Sequence, residues 1–294
     1  MPPQLNIAMV TCRELGSLTT DDSIATDHLI QLGFSISVIA WDASAIGWET
    51  FDAVIVRSAW DYHRRHREFL AWLAEMERRK VRLWNSASVI RNNIDKIYLR
   101  KLSEQGVAVT PTVWVGRGEV VDLKAVLFDS QWDQAVIKPA ISATAWSTWI
   151  TSRARAAEDQ SKLDSILEQR GALVQPFVTE VQTRGEWSFV FFGNQYSHAV
   201  LKRANVGDFR VQKDFGGYLS DEIPSPALVA TAKDVIQKID SPLLYARVDG
   251  VEVANEFVLM ELELIEPELF FRAHDGAAQR FADAIVKLAG LPVA

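Results

Sequence analysis

Cysteine is nearly absent: Cys12 is the only one in 294 residues. An internal disulfide and any zinc centre built on several cysteines are thereby excluded. No apolar run approaches the roughly 20 residues that a membrane-spanning helix needs. The N-terminus, MPPQLNIAMV, has no basic head before an apolar stretch and does not read as a secretory signal. A cytoplasmic protein with no membrane partner is expected. Net positive charge is missing as well. The formal charge is −7, which speaks against a general attraction to nucleic acid or anionic membrane. Two local basic clusters, Arg64, Arg65, Arg67 and Arg78, Arg79, Lys80, fall on an expected helical hairpin and read as solvated faces. No G-x-G-x-x-G follows the first strand and no G-x-x-x-x-G-K-[ST] occurs anywhere. A nicotinamide-dependent oxidoreductase and a P-loop NTPase therefore lack support. Internal repeats and low-complexity segments are also lacking.

What is present is an ordinary globular composition, 48% hydrophobic, on a chain long enough for one large domain or two to three small ones. The first part alternates strands (NIAMVT, SISVIAW, DAVIVRSA, VRLWN) with helical patterns at Asp22 to Leu32 and around Phe69, Leu70, Leu73 and Met76. This rhythm predicts a parallel sheet with helices packed on it. Ligands of such sheets sit beyond the carboxyl ends of the strands. Thr11, Cys12, Arg57, Ser58 and Asp61 lie at those ends, either as ligand contacts or as capping and turn residues, and Trp60 is a candidate stacking surface. Near Asn92 the character changes to α+β. NNIDKIYLRKLSEQG reads as a helix start and a helix ending at Gly106, with Lys96 at the start, DQAVIKPA and ALVQPFV as strands, and AEDQSKLDSILEQRG as an amphipathic helix. GEWSFVFFGNQYSHAVLKR reads as a hairpin turning at Gly193-Asn194. Helices at Ala227 to Ile239 and Ala277 to Leu288 flank the strands LLYARVDGVEV and VLMELEL.

The last two strands raise a chemical question. Alternation puts Glu261 and Glu263 on one face, with Met260, Leu262 and Leu264 on the other. It puts Arg247 and Asp249 on one face of the preceding strand. Side-by-side carboxylates repel, and desolvating them is costly. A hard dication with oxygen ligands would relieve the repulsion, and magnesium combines carboxylates with substrate phosphates. A salt-bridged solvent face of an edge strand is the competing reading. Lys96 and Lys138 shift the balance. Two lysines, a hydrophobic hinge strand VQPFV and a carboxylate-bearing strand are the parts that hold a nucleoside triphosphate.

In order, NNIDKIYL, TPT, VIKPA, VQPFV, GEWSFVFF, HAVLK, GDFRVQKDFGG, YARVDGV and MELELIEP resemble the ATP-grasp superfamily, in particular its glutathione synthetase and D-alanine–D-alanine ligase branch. The resemblance implies a Rossmann-like N-terminal domain over 1–91, followed by an ATP-grasp fold of two α+β subdomains over 92–172 and 173–294. It implies that Lys96 and Lys138 contact ATP phosphates. Gln175, Pro176, Phe177 and Val178 would form the adenine hinge, Phe177 and Val178 through backbone groups, and Glu186 would hold the ribose. Lys202 and Arg210 would approach the transferred phosphoryl group, and Arg247 would stabilise the acyl phosphate. Asp249, Glu261 and Glu263 would bind two magnesium ions, with manganese as a substitute.

Two departures stand out. The loop after the second lysine, Ala140 to Thr148, has no glycine, although Ser142 or Thr144 can still reach phosphate. The last metal motif is Glu261-Leu262-Glu263, where the family commonly has Glu-x-Asn. The implied reaction is ATP-dependent activation of a carboxylate as acyl phosphate, then attack by an amine-type nucleophile. Similarity to the D-cycloserine-forming cyclo-ligases of antibiotic biosynthesis points to intramolecular ring closure of an amino-acid derivative. An intermolecular peptide or glutathione-like ligase and a non-catalytic ATP-binding module are the alternatives. The branch leaves room for a homodimer. His198 reads as a core histidine bonded to backbone, and His274 as a cap of the last helix.

Overall fold

The computed structural model describes residues 5–205 and 216–291; Arg210 lies outside them. Strands β1 (Asn6–Thr11), β2 (Ser35–Ala40), β3 (Ala53–Ser58) and β4 (Leu83–Trp84) form a parallel sheet in the order β2-β1-β3-β4. Helices α1 (Thr20–Gln31) and α2 (His66–Arg78) are its crossovers. Thr19 caps α1 by accepting the Asp22 N–H, and Asp21 and Asp22 occupy the first turn, where the helix dipole favours negative charge. The two basic clusters lie at the two ends of α2, a single helix rather than a hairpin. Arg65 is bonded to Asp42, Asp61 and Glu68, and Arg78 to Glu75.

Helices α3 (Ala87–Asn93) and α4 (Tyr98–Glu104) lead into a second sheet. It contains β5 (Val113–Val115), β6 (Gln134–Pro139), β7 (Trp149–Ser152) and β8 (Ala172–Pro176), ordered β5-β8-β6-β7 and antiparallel, with α5 (Leu123–Asp129) and α6 (Ala156–Leu167) on it. After the short α7 (Glu180–Thr183) comes a third sheet, ordered β11-β10-β9-β12-β13. Its strands are β9 (Glu186–Phe192), β10 (Gln195–Arg203), β11 (Tyr218–Ser220), β12 (Tyr245–Val253) and β13 (Glu256–Glu263). Helices α8 (Pro226–Gln237) and α9 (Ala277–Leu288) complete it. The β9–β10 hairpin turns at Gly193 (φ 55°) and Asn194 (φ 63°), the left-handed pair that matches strand twist.

The parallel sheet and the third sheet share a core. Ile7, Met9, Leu29 and Ile55 pack in one cluster with Phe192, Phe281 and Ile285. Polar groups tie the same junction. The Asn85 amide donates to Tyr245 O (2.9 Å) and Leu264 O (2.8 Å) and accepts from Leu244 N (2.8 Å). His198 is buried and its Nε2 lies 3.0 Å from Leu269 O; burial lowers its pKa to about 4. That is the backbone-bonded core histidine the sequence suggests. His274 contributes its carbonyl, not its ring, to the start of α9 by accepting the Ala277 N–H.

Candidate active site

Strand β13 is the outermost strand of its sheet, yet its outer edge is not open. The Val107–Thr110 segment runs along it, with Leu259 N donating to Ala108 O (2.9 Å) and Thr110 N to Leu259 O (3.2 Å). The Asn93 amide donates to Leu262 O (2.9 Å) and accepts from Leu264 N (2.9 Å), and the Tyr98 hydroxyl accepts from Leu262 N (3.0 Å). The strand is therefore not an open edge; its carboxylate face is salt-bridged, as the competing reading has it, but lines a cavity.

Register sets the chemistry of the face. Arg247 stands opposite Glu263 and Asp249 opposite Glu261. A bulge follows, pairing Gly250 with Leu259 and leaving Met260 as the extra residue. Gly250 is required there, because a Cβ would come within 2.5 Å of Val258 O. The bulge breaks the expected alternation: Leu262 and Leu264 enter the core, whereas Met260 lines the cavity.

That cavity, about 890 Å³, lies between the second and third sheets and the C-terminal edge of the first. It is lined by Lys96, Lys138, Ser142, Gln175, Pro176, Phe177, Val178, Glu186, Lys202, Arg247, Asp249, Glu261 and Glu263. Every described residue assigned a role from the sequence therefore meets in one space. Lys96 lies just ahead of α4, at the helix start that the sequence suggests. Between α3 and α4 the helix breaks at Asp95, whose carboxylate accepts the Ile97 N–H (3.0 Å), and the Lys96 N–H donates to Ala140 O (2.8 Å). This break turns the buried Lys96 ammonium onto Ser142 O (2.7 Å) and Glu261 (2.9 Å). Lys138 ends β6 without an ion-pair partner among the described residues. Burial lowers its pKa to about 8, Glu261 opposing and Lys96 reinforcing the shift.

The carboxylates are held by cations. Arg247 bonds Asp249 (2.8 Å) and Glu263, and donates to Glu268 O (3.0 Å). Asp249 also accepts from Ser188 Oγ (2.5 Å) and lies 3.7 Å from Lys202. Burial opposes its charge, but Arg247 and Lys202 outweigh burial and hold its pKa below the ordinary value. Glu261 is likewise lowered, burial being outweighed by Lys96 and Lys138. Burial dominates at Glu263, raising it to about 8 against Arg247, and at Glu266, raising it to about 7. Lys202 pairs with Glu186 at 2.5 Å. As the side chains stand, no group of three acidic or histidine residues converges as a metal centre among the described residues. The donor chemistry does fit a hard dication: two facing carboxylates, Asp249 and Glu261, with Glu263 beside them, all on the cavity wall.

The loop Ala140 to Thr148 lines the same cavity. Without glycine, Thr144, Ala145 and Ser147 take left-handed φ values of 50°, 55° and 52°, a conformation unfavourable for residues with a Cβ. Its far end is held by Trp146, whose ring lies 4.8 Å below the Arg170 guanidinium and 5.6 Å from His63. Arg170 in turn donates to His63 O and Ile141 O, both at 3.0 Å. The Ser142 hydroxyl donates to Pro139 O (3.1 Å), and the Phe177 N–H donates to Gln134 O (3.1 Å). Of the backbone donors assigned to the hinge, that one is therefore engaged.

The strand-end residues of the first sheet are structural. Arg57 is buried, bonded to Asp22 (2.8 Å) and Pro267 O (2.6 Å); Ser58 bonds Asp22 (2.8 Å) and Thr11 bonds Ser17 O (2.7 Å). Asp61 accepts from Trp41 (2.8 Å), and Cys12 is buried in the core. Trp60 does line the cavity. Sequence reasoning missed Tyr62, Asn93, Thr110, Met260, Glu266, Phe270 and Arg272, which also line it.

Residues 7–85 match the N-terminal domain of D-cycloserine synthetase DcsG. The cycloserine biosynthesis protein DcsG of Streptomyces lavendulae is 30% identical over 275 residues, covering 87% of this chain and 89% of that one. The chain belongs to the D-cycloserine synthetase family. The crystal structure of D-cycloserine synthetase DcsG aligns with a TM-score of 0.84 at 28% identity, over 97% of this chain and 99% of the other. A D-alanine–D-alanine ligase from Bacillus anthracis in complex with ATP shares the fold, with a TM-score of 0.69 at 14% identity over 97% of both chains. As a D-cycloserine synthetase family member the protein is an ATP-dependent ligase of the ATP-grasp class; the ATP-grasp ligase PsnB, which shares the fold with a TM-score of 0.66 at 14% identity, is known in complex with Mg and ADP. Among the described residues no helix is long and apolar enough to cross a membrane.

Proposed function

We propose that this protein closes an amino-acid derivative into a D-cycloserine-type ring by activating its carboxylate with ATP. The observation that carries the reading is the single cavity in which two lysines, a hinge strand and a carboxylate strand meet, in a chain whose DcsG relative matches along nearly its whole length. In D-cycloserine the carboxyl carbon of a serine skeleton is bonded to a nitrogen borne on its own side-chain oxygen. The substrate is then a D-serine derivative whose side-chain oxygen carries nitrogen.

The chemistry divides into two steps. A substrate carboxylate oxygen attacks the γ-phosphorus of ATP, the bond to the bridging oxygen breaks, and ADP leaves an acyl phosphate. The side-chain nitrogen attacks the acyl carbon, loses its proton, and phosphate departs. Lys96 and Lys138 hold phosphate oxygens, and the backbone around Ser142 covers them. Gln175, Pro176, Phe177 and Val178 wall the adenine, and Glu186 takes the ribose. Lys202 faces the transferred phosphoryl group, and the resemblance assigns Arg210, outside the described residues, to the same group. Arg247 stabilises charge on the acyl phosphate and on the tetrahedral adduct that follows. Asp249, Glu261 and Glu263 would hold two magnesium ions, which supply neutralising charge to the triphosphate when bound.

The test is incubation with ATP, magnesium and a panel of D-serine derivatives bearing an aminooxy side chain, read by ADP release and mass spectrometry. Ring closure yields a product lighter than its substrate by one water. A product joined from two molecules would identify intermolecular ligation instead. Nucleotide binding with no substrate-stimulated ADP release would leave a nucleotide-binding module.

A further inference from the structure

Seven carboxylates line the cavity: Asp21, Glu186, Asp249, Glu261, Glu263, Glu266 and Glu268. Six of them are in ion pairs, Asp21 and Glu268 with Arg272 and the others with Lys202, Arg247 or Lys96. Glu266 is not. It is 6% exposed, and among the described residues its carboxylate makes no ion pair and no hydrogen bond to another residue. Its backbone is fixed: the Trp60 indole N–H donates to its carbonyl (3.3 Å). Arg247 and Lys96 act on the carboxylate only from a distance, without a contact, and burial outweighs them; a buried carboxylate that touches no cation costs free energy that an apolar residue would not. It is three residues beyond Glu263 and follows the end of β13, so it borders the metal-ligand face without belonging to it. Two aromatic residues of the cavity wall lie near it: Trp60, bonded to its carbonyl, and Tyr62, whose hydroxyl feels its charge. An unpaired carboxylate among aromatic rings is the chemistry that recognises an organic ammonium group.

We propose that Glu266 binds the ammonium group of the amino-acid substrate and of the ring formed from it. This rests on the ring-closure reading above and adds the substrate group that the site reads. The six paired carboxylates are already compensated; Glu266 gains its counter-ion only when the ligand arrives. The substrate class is thereby narrowed to compounds with a free α-amine.

The test uses D-cycloserine and the same isoxazolidinone ring without its amino group, each titrated calorimetrically into the protein saturated with ADP and magnesium. The wild type is expected to bind the amine-bearing ring at least tenfold more tightly. Glu266→Gln is expected to bring the two within twofold, with ADP affinity unchanged, and Glu266→Asp to restore part of the preference. Thermal melts confirm that each variant is folded. A wild type that does not prefer the amine overturns the assignment, as does a Glu266→Gln variant that keeps the tenfold preference. A tenfold loss of magnesium-dependent ADP affinity in Glu266→Gln would make it a metal ligand and overturn the assignment too. Substrate-stimulated ADP release reports on the ligase reading separately. Amine preference lost with Glu266 but without ADP release would remove ring closure and support the ammonium site.

Discussion

Replacing Lys138 by Met separates two consequences of desolvating an ammonium group at the proposed phosphate site. Burial lowers the Lys138 pKa to about 8 from an ordinary 10.5. A shift of that size costs the folded protein about 3 kcal/mol when the lysine is charged, at 1.36 kcal/mol per pH unit. The sign follows from the depressed pKa of a base. The cost is fully present below pH 8 and disappears as pH rises from 8 to 10.5, where only the unfolded chain still binds the proton. Lys138→Met is therefore expected to stabilise the ligand-free protein at pH 7 by about 1–3 kcal/mol, read by urea denaturation, with the gain shrinking above pH 8. Nucleotide binding moves the other way. A charge-assisted contact contributes about 1.5–3 kcal/mol, so the ATP Kd rises about 10- to 150-fold. Phosphate also keeps the bound lysine protonated. Wild-type ATP affinity is then expected to fall about tenfold between pH 7 and pH 9 by proton linkage of Lys138, measured by calorimetry without magnesium. Lys138→Met should show a flat profile over that range. A pH-independent wild-type affinity, or a variant that keeps the slope, would refute the argument.

Glu261→Gln removes one charge from the facing pair Asp249–Glu261 and is expected to abolish magnesium-dependent ADP release while the melting curve stays cooperative; full turnover would remove Glu261 from the metal set. Asn93→Ala strips Leu262 O and Leu264 N of their partner. Two orphaned buried backbone groups predict a loss of about 2–5 kcal/mol in denaturant titrations. Trp146→Ala frees the Ala140–Thr148 loop from Arg170 and His63. A desolvated cation–π contact of about 1–2 kcal/mol predicts an ATP Kd raised about 5- to 30-fold, together with faster proteolytic cleavage in that loop.

Much of this was legible in the sequence because it is carried by periodicity. Strand alternation alone put Arg247 with Asp249 and Glu261 with Glu263, and the observed register places them opposite one another. Helix α9 runs from Ala277 to Leu288, the bounds its apolar spacing suggests. What failed was set by tertiary context. Lys96 reads as a helix start and does precede α4, but the bond of its N–H to Ala140 O, 44 positions away in the chain, has no local signal. Alternation puts Met260 on the face of Leu262 and Leu264, yet it lines the cavity, because the bulge at Gly250 inserts it. Thr11, Arg57 and Ser58 read equally well as ligand contacts or turn residues; only their bonds to Ser17 and Asp22 decide between the two.

The charge arrangement without ligand bears on how the site works. Four of its acidic side chains already have cationic partners: Glu261 on Lys96, Glu186 on Lys202, and Asp249 and Glu263 on Arg247. Under the proposed function these same lysines and the arginine face phosphate or acyl phosphate. Binding then exchanges partners and does not create contacts from bare charges. Under that reading Lys96, Lys202 and Arg247 would turn from carboxylate to phosphate, Asp249, Glu261 and Glu263 would turn to metal, and Glu186 would turn to the ribose. Such an exchange avoids leaving several desolvated charges unpaired at once, which is what makes broken buried pairs destabilising. It also requires nucleotide and metal to bind together. A nucleotide without metal would take Lys96 from Glu261 and leave that carboxylate facing Asp249. ATP affinity should therefore rise with magnesium in the wild type and lose that dependence in Glu261→Gln. Equal affinities with and without magnesium in the wild type would show that the partners do not exchange.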